Sequence, residues 1–243
     1  MKQIFRNKWA VILMIIALAI IAAIAIVIAP TFGGLGIDSG LFDQEGCKPP
    51  CWHGLTPGQS TSEDVNDFLA NLSRDQWPER DIRVFDTGCK SIRIFGNFNI
   101  VMADLYIVDG SLTFIQSYSP NETRLGEIVD HFGDPEYFKA VLDIGVDYKF
   151  YILEVYYPHK GLVFEILPDQ EKVIGSIGAD MVVSAIHYFE PGDLSSYFLS
   201  EYSCDWEKTD AILRGQTEID NFIQEWHGFG KIDVITYDEL RDE

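Results

Sequence analysis

The sequence predicts an α+β protein: an N-terminal transmembrane helix, two helix-plus-antiparallel-meander units of two layers each, and a C-terminal helical appendage. Three observations carry this. An uncharged apolar run lies near the start, amphipathic helical stripes recur downstream, and short β-rich segments with turn residues between them follow each stripe.

Lys2, Arg6 and Lys8 precede a run without charge from Trp9 to Ala29. Its 21 residues span about 31 Å as a helix, enough for a hydrocarbon core of roughly 30 Å. The cations on one flank predict a cytoplasmic tip (1–8), a signal-anchor span (9–29), and a cell-membrane, single-pass protein with the bulk of the chain extracytoplasmic. A cleaved signal peptide is the rival, but its apolar region is usually about 7–15 residues. Residues 30–46 hold five glycines and read as a linker.

The first unit is expected over 47–118. Ser60 is placed to cap a helix, with Glu63 three residues on as a capping box requires. Val65, Phe68, Leu69 and Leu72 form its apolar stripe. Ser91–Phe95, Ile100–Val108 and Leu112–Tyr118 read as strands, the last two joined by an Asp109-Gly110 hairpin turn. The second unit, 119–190, repeats the plan. Leu125, Ile128, Val129 and Phe132 form the stripe, and Gly133 and Pro135 stop the helix. Val146–Tyr157, Leu162–Leu167 and Met181–Phe189 read as strands, with a turn at Pro158–Gly161. Thr56-Pro57 matches Ser119-Pro120 at a spacing of 63, and Glu63, Val65 and Phe68 match Glu127, Val129 and Phe132 at 64, so the tandem repeat needs a one-residue insertion. The two copies either share one sheet or sit side by side. Residues 191–243 form the appendage, with a helix capped by Thr217 and striped by Ile219, Phe222, Ile223 and Trp226.

These motifs resemble small envelope domains. Thr56-Pro57-Gly58, Glu63 and Val65, then Leu125, Glu127, Val129 and Phe132-Gly133-Asp134-Pro135, are similar to the outer-membrane β-barrel-assembly lipoprotein family and the β-lactamase-inhibitor-protein-like fold. The stretch from Cys51 to Gly58 also resembles uncharacterised bacterial membrane-anchored proteins. The resemblance spans about residues 52–190 and implies a noncatalytic extracytoplasmic domain that works by contacting other proteins. The chain departs from it in having an expected transmembrane anchor in place of a lipid-bearing Cys.

Cys47, Cys51, Cys89 and Cys204 all follow the apolar run. An even count in an oxidising compartment predicts two disulfides in one of three connectivities, with Cys47–Cys51 and Cys89–Cys204 preferred. A metal set of Cys47, Cys51, His53 and Cys89 lacks a usual zinc spacing.

The chain carries 38 acidic and 18 basic side chains, a net charge of −20, which excludes binding nucleic acid through phosphate neutralisation. No acidic residue precedes Asp38, so the outer region holds all of the negative charge. There is no G-x-S-x-G, H-E-x-x-H, phosphate-loop or EF-hand pattern, and no cofactor or metal is expected. The five histidines are scattered, with His131 on a helix surface and His159 in a turn. Asp143 and Asp147 are candidate paired carboxylates. Tyr148, Tyr151, Tyr156 and Tyr157 form a candidate binding surface, one strand face turned to the core and the other presenting tyrosines; half-exposed packing is the simpler use. The expected function is noncatalytic interaction with another envelope or extracellular protein. The alternatives are a cell-wall or glycan-directed hydrolase using Asp/Glu pairs, and a binder of cationic ligands.

Overall fold

A computed structural model describes residues 47–72, 81–86, 90–96, 100–118, 123–144, 149–166, 175–202 and 208–236. All fall within one compact unit, Ile37–Glu243.

The described residues form four α-helices: α1 (Ser62–Asn71), α2 (Leu125–Phe132), α3 (Leu194–Tyr202) and α4 (Lys208–Phe222). The strands are β1 (Asp81–Asp86), β2 (Lys90–Phe95), β3 (Val101–Val108), β4 (Ser111–Tyr118), β5 (Tyr137–Ile144), β6 (Lys149–Tyr157), β7 (Leu162–Ile166), β8 (Ser176–Ile177), β9 (Val183–Phe189), β10 (Ile223–Glu225), β11 (Gly230–Lys231) and β12 (Ile235–Thr236). Nine of them run in one antiparallel sheet in the order β1-β2-β3-β4-β9-β7-β6-β5-β10, and β12 adds to β5 in parallel. β8 and β11 form a separate pair.

The expected fold class is therefore corrected. The protein is mostly β, built on one large sheet, and is not a set of two-layer α+β units. Of the two arrangements expected for the copies, the shared sheet is the one found, and α3 packs on its other face as a further layer. β4 and β9, the last long strands of the two helix-then-strands segments, bond to each other from Phe114↔Phe189 to Tyr118↔Ala185. Each satisfies what would otherwise be an open edge of its neighbour. The C-terminal segment is also no mere attachment, since α3 and α4 cover the second sheet face and β10 and β12 extend the sheet.

The anchor expectation is corrected as well. Among the described residues no helix is long and apolar enough to cross a membrane. The Trp9–Ala29 run lies outside the described residues. The transmembrane, signal-anchor and cell-membrane assignments drawn from it find no support in the structure and are set aside.

Alternation along the strands sends apolar side chains to both faces. On the first face, Leu105, Ile115, Leu153, Val155, Phe164 and Ile186 pack with Val65 of α1 and Leu125 and Ile128 of α2, all fully buried. On the second, Phe114, Tyr156, Val163 and Phe189 pack with Leu194, Tyr197 and Phe198 of α3. Cutting one of these Leu or Ile side chains to Ala costs about 2–5 kcal/mol.

The cap of α1 sits one residue later than the expected Ser60. Thr61 caps α1: its hydroxyl accepts from the Asp64 N–H at 3.3 Å, and the Asp64 carboxylate accepts the Thr61 N–H at 2.7 Å. At α2, Glu127 accepts the Arg124 N–H at 2.9 Å. Thr61 and Arg124 each also bridge to the head of their own half's last strand, at Ser111 and Val182. Thr61 and Arg124, Asp64 and Glu127, and Val65 and Ile128 thus correspond at a single spacing of 63, with no insertion. Gly133 ends α2 with φ 83°, and Asp109 (φ 50°) and Gly110 (φ 81°) make the expected tight hairpin turn.

The last helix was expected to begin at Thr217. α4 begins nine residues earlier, at Lys208, and Thr217 lies inside it, donating its hydroxyl to the Leu213 carbonyl at 3.0 Å. Ile223 lies beyond the helix in β10, and Trp226 follows that strand.

Candidate functional site

The polar residues of the sheet collect on its second face. By register, Arg93 of β2 sits opposite Asp104 of β3, Asp104 opposite Gln116 of β4, and Gln116 opposite His187 of β9. Beside this row, Glu165 of β7 is opposite Glu154 of β6, and Glu154 opposite Lys139 of β5.

The β5–β6 end of this face is a buried ionic cluster. Lys139 Nζ lies 3.4 Å from Glu154 Oε2 and 2.9 Å from Glu218 Oε2 on α4. All three side chains are less than 10% exposed. The Lys139–Glu218 contact is an ion pair by distance, without the angular geometry of a hydrogen bond. The Tyr156 hydroxyl donates to Glu154 Oε2 at 2.6 Å. Burial pushes the Glu154 carboxyl up, but Lys139, His187 and the Tyr156 hydroxyl outweigh it and hold it below its ordinary value.

His187 joins the cluster from β9. Its Nδ1 is 2.9 Å from the Tyr197 hydroxyl of α3, and its Nε2 is 3.5 Å from Glu165 Oε2. Burial lowers its pKa, but Glu165, Glu154 and Glu201 prevail and raise it. Glu201, half-buried on α3, is pushed up to about 7 by burial and by neighbouring Glu154. Tyr156 and Tyr197 are both raised well above the ordinary phenol value by burial. The cluster can hold a proton near neutrality and can fasten two helices to the sheet. Its Lys139, Glu154, Glu218 and His187 side chains are all buried.

The β1–β3 end is open by contrast. Arg93 makes a bidentate pair with buried Asp104, at 2.7 and 3.0 Å, and its own side chain is 40% exposed. Arg83 pairs with Asp81 at 2.8 Å and lies over the Phe95 ring at 4.2 Å. Val84 (56%) and Phe85 (42%) of β1 are exposed.

The tyrosine surface is not where it was expected. Tyr151, Tyr156 and Tyr157 are all core, because helices cover both faces of β6. The alternation itself holds: Tyr156 belongs to the cluster under α3, and Tyr151 and Tyr157 to the opposite one. Tyr157 donates to the Gly133 carbonyl at 2.7 Å, and burial pushes the Tyr151 hydroxyl up to about 12. Tyr148 and Asp147 lie outside the described residues, and Asp143 falls in β5. Cys47 and Cys51 form a disulfide. Cys89 and Cys204 lie outside the described residues. Among the described residues no group of His, Cys, Asp and Glu is arranged to hold a metal ion.

Sequence reasoning missed Lys139, Glu154, His187, Glu201 and Glu218. The usable signal was Glu154 and Glu165, each a single carboxylate inside an otherwise apolar strand, where a charge needs a partner.

No protein-family model, curated protein or solved structure matches the chain. The envelope-domain resemblance rests on the short motifs that carry it.

Proposed function

We propose that the chain is a noncatalytic protein-interaction domain. The carrying observation is the contrast between the buried ionic cluster and the β1 edge. Lys139, Glu154, Glu218 and His187 are buried, in contacts to each other or to Tyr197 of α3, while large apolar side chains stand exposed at the β1 edge. A catalytic carboxylate or imidazole must reach its substrate. A sheet edge with exposed apolar side chains is a template for contact with another chain.

Affinity capture with the full chain as bait, followed by reconstitution from purified components, tests this reading. A directly binding protein is the expected result. Failure to reconstitute any complex, together with turnover of a wall polymer that is lost in Glu154→Gln, would overturn it in favour of the hydrolase.

A further inference from the structure

The two outer edges of the large sheet are treated differently by the chain. At the β5 edge, β10 pairs with residues 137–139 and β12 with residues 141–142. At the β1 edge, no strand among the described residues pairs with the outer side of Asp81–Asp86. An edge of this kind presents unpaired N–H and C=O groups as a template for another strand, and proteins usually blunt it with charge, proline or a cover. Here its middle carries Val84 at 56% and Phe85 at 42% exposure. These point to opposite faces, since Val84 pairs with core Ile92 and Phe85 with Ser91.

We infer that the outer edge of β1 takes an extended segment of a partner protein as an added antiparallel strand, and that this segment reads aromatic–apolar–acidic–apolar–basic from its N-terminal end. The inference rests on the interaction-domain reading and names the partner chemistry for it. Backbone hydrogen bonds supply the general affinity of strand addition, and alternate side chains supply the choice of partner.

The pattern follows from β1 residue by residue. The position opposite Phe85 is aromatic, and that opposite Val84 apolar. The position opposite Arg83 is acidic, that opposite Ile82 apolar, and that opposite Asp81 basic. Antiparallel addition continues the direction rule of all nine strands in the main path. The existing Arg83–Asp81 pair is about half exposed on both sides, so sharing it with new partners costs little. A second copy of the chain fits less well. Self-pairing centred on Ile82 would match Asp81 with Arg83, but Glu79 and Arg80, which precede Asp81 in the sequence, are neither the aromatic nor the apolar residue wanted opposite Phe85 and Val84, and each copy brings a net charge of −20.

The test uses the full chain and two synthetic peptides. One has the stated pattern; the other has its acidic and basic positions exchanged. The first is expected to bind about tenfold more tightly, and to slow hydrogen exchange of β1 amides. Asp81→Arg combined with Arg83→Glu reverses the preference, which a merely sticky edge would not do. Val84→Lys and Phe85→Lys weaken binding of the first peptide without unfolding an exposed edge. Binding of neither peptide, equal binding of both, or β1 amides already protected like those of β3 in the free protein would overturn the inference. So would self-association through β1. A reconstituted complex that tolerates Val84→Lys and Phe85→Lys would overturn the strand-addition inference while leaving the interaction-domain reading intact; absence of any complex would count against the latter.

Discussion

Among the described residues, one edge of the sheet is closed by the chain itself and the other pairs with no further strand. The closed β5 edge receives β10 and β12, and behind it Lys139 reaches across to Glu218 on the helix that delivers β10. The β1 edge carries six residues, two of them large, apolar and exposed. Among the described residues, the same backbone liability is thus removed at one end and kept at the other. The closing apparatus is ionic and buried: Lys139 pairs with Glu154 within the sheet, and its shorter contact, with Glu218, forms only when α4 is seated.

The largest test of that contrast is Lys139→Met. It leaves Glu154 and Glu218 buried without their cation, and loss of one partner of such a pair costs about 3–5 kcal/mol. Urea unfolding is expected to show that loss, and hydrogen exchange to show β10 and α4 released before β6. Unchanged stability would mean that Lys139 does not hold the edge.

The next effect is smaller and depends on pH. Glu201 rises from 4.5 to about 7 on folding, so the folded state binds its proton more tightly than the unfolded chain. Its stabilising contribution is complete below about pH 4.5 and is lost as pH climbs towards about 7. His187, raised above 6.5, acts in the same direction, its contribution fading as pH rises through its folded value. Glu154, held below 4.5, acts oppositely and fails only in acid. Stability of the α3–α4 face is therefore expected to fall between mildly acidic and mildly alkaline pH, by about 1–3 kcal/mol from Glu201. Glu201→Gln should flatten that slope in a series of thermal melts.

The smallest effect belongs to the bare edge. Val84→Lys is expected to shift folding stability by no more than about 0.5 kcal/mol, while raising solubility at high concentration. A large destabilisation would show that Val84 is packed and the edge is not bare.

Much of the sheet was legible in the sequence. The apolar alternation of Leu112–Tyr118 and Leu162–Ile166, and the Asp109-Gly110 turn, are local signals, and local signals fixed those strands. β1 escaped because its charges, Asp81 and Arg83, sit on a half-exposed edge and break the apolar pattern. β5 escaped for the opposite reason: Lys139 interrupts an apolar run because its partner lies on a helix almost eighty residues later. The tyrosines of β6 alternate as expected, but which face is covered depends on α3, whose Leu-Ser-Ser start carries little helical signal. The cap of α1 was read one residue early because Ser60 and Glu63 stand at the capping-box spacing, while Thr61 and Asp64 at the same spacing form the box.

The bridges from Thr61 to Ser111 and from Arg124 to Val182 bear on how the chain folds. Each helix start is tied to the last long strand of its own half, so each half can close its own loop before meeting the other. The β4–β9 seam joins strands that both segments have already completed. That seam spans 67 to 75 residues, more than any strand pairing within either half, and substitutions at Ile115 or Tyr188 should slow assembly more than substitutions at the Asp109-Gly110 turn.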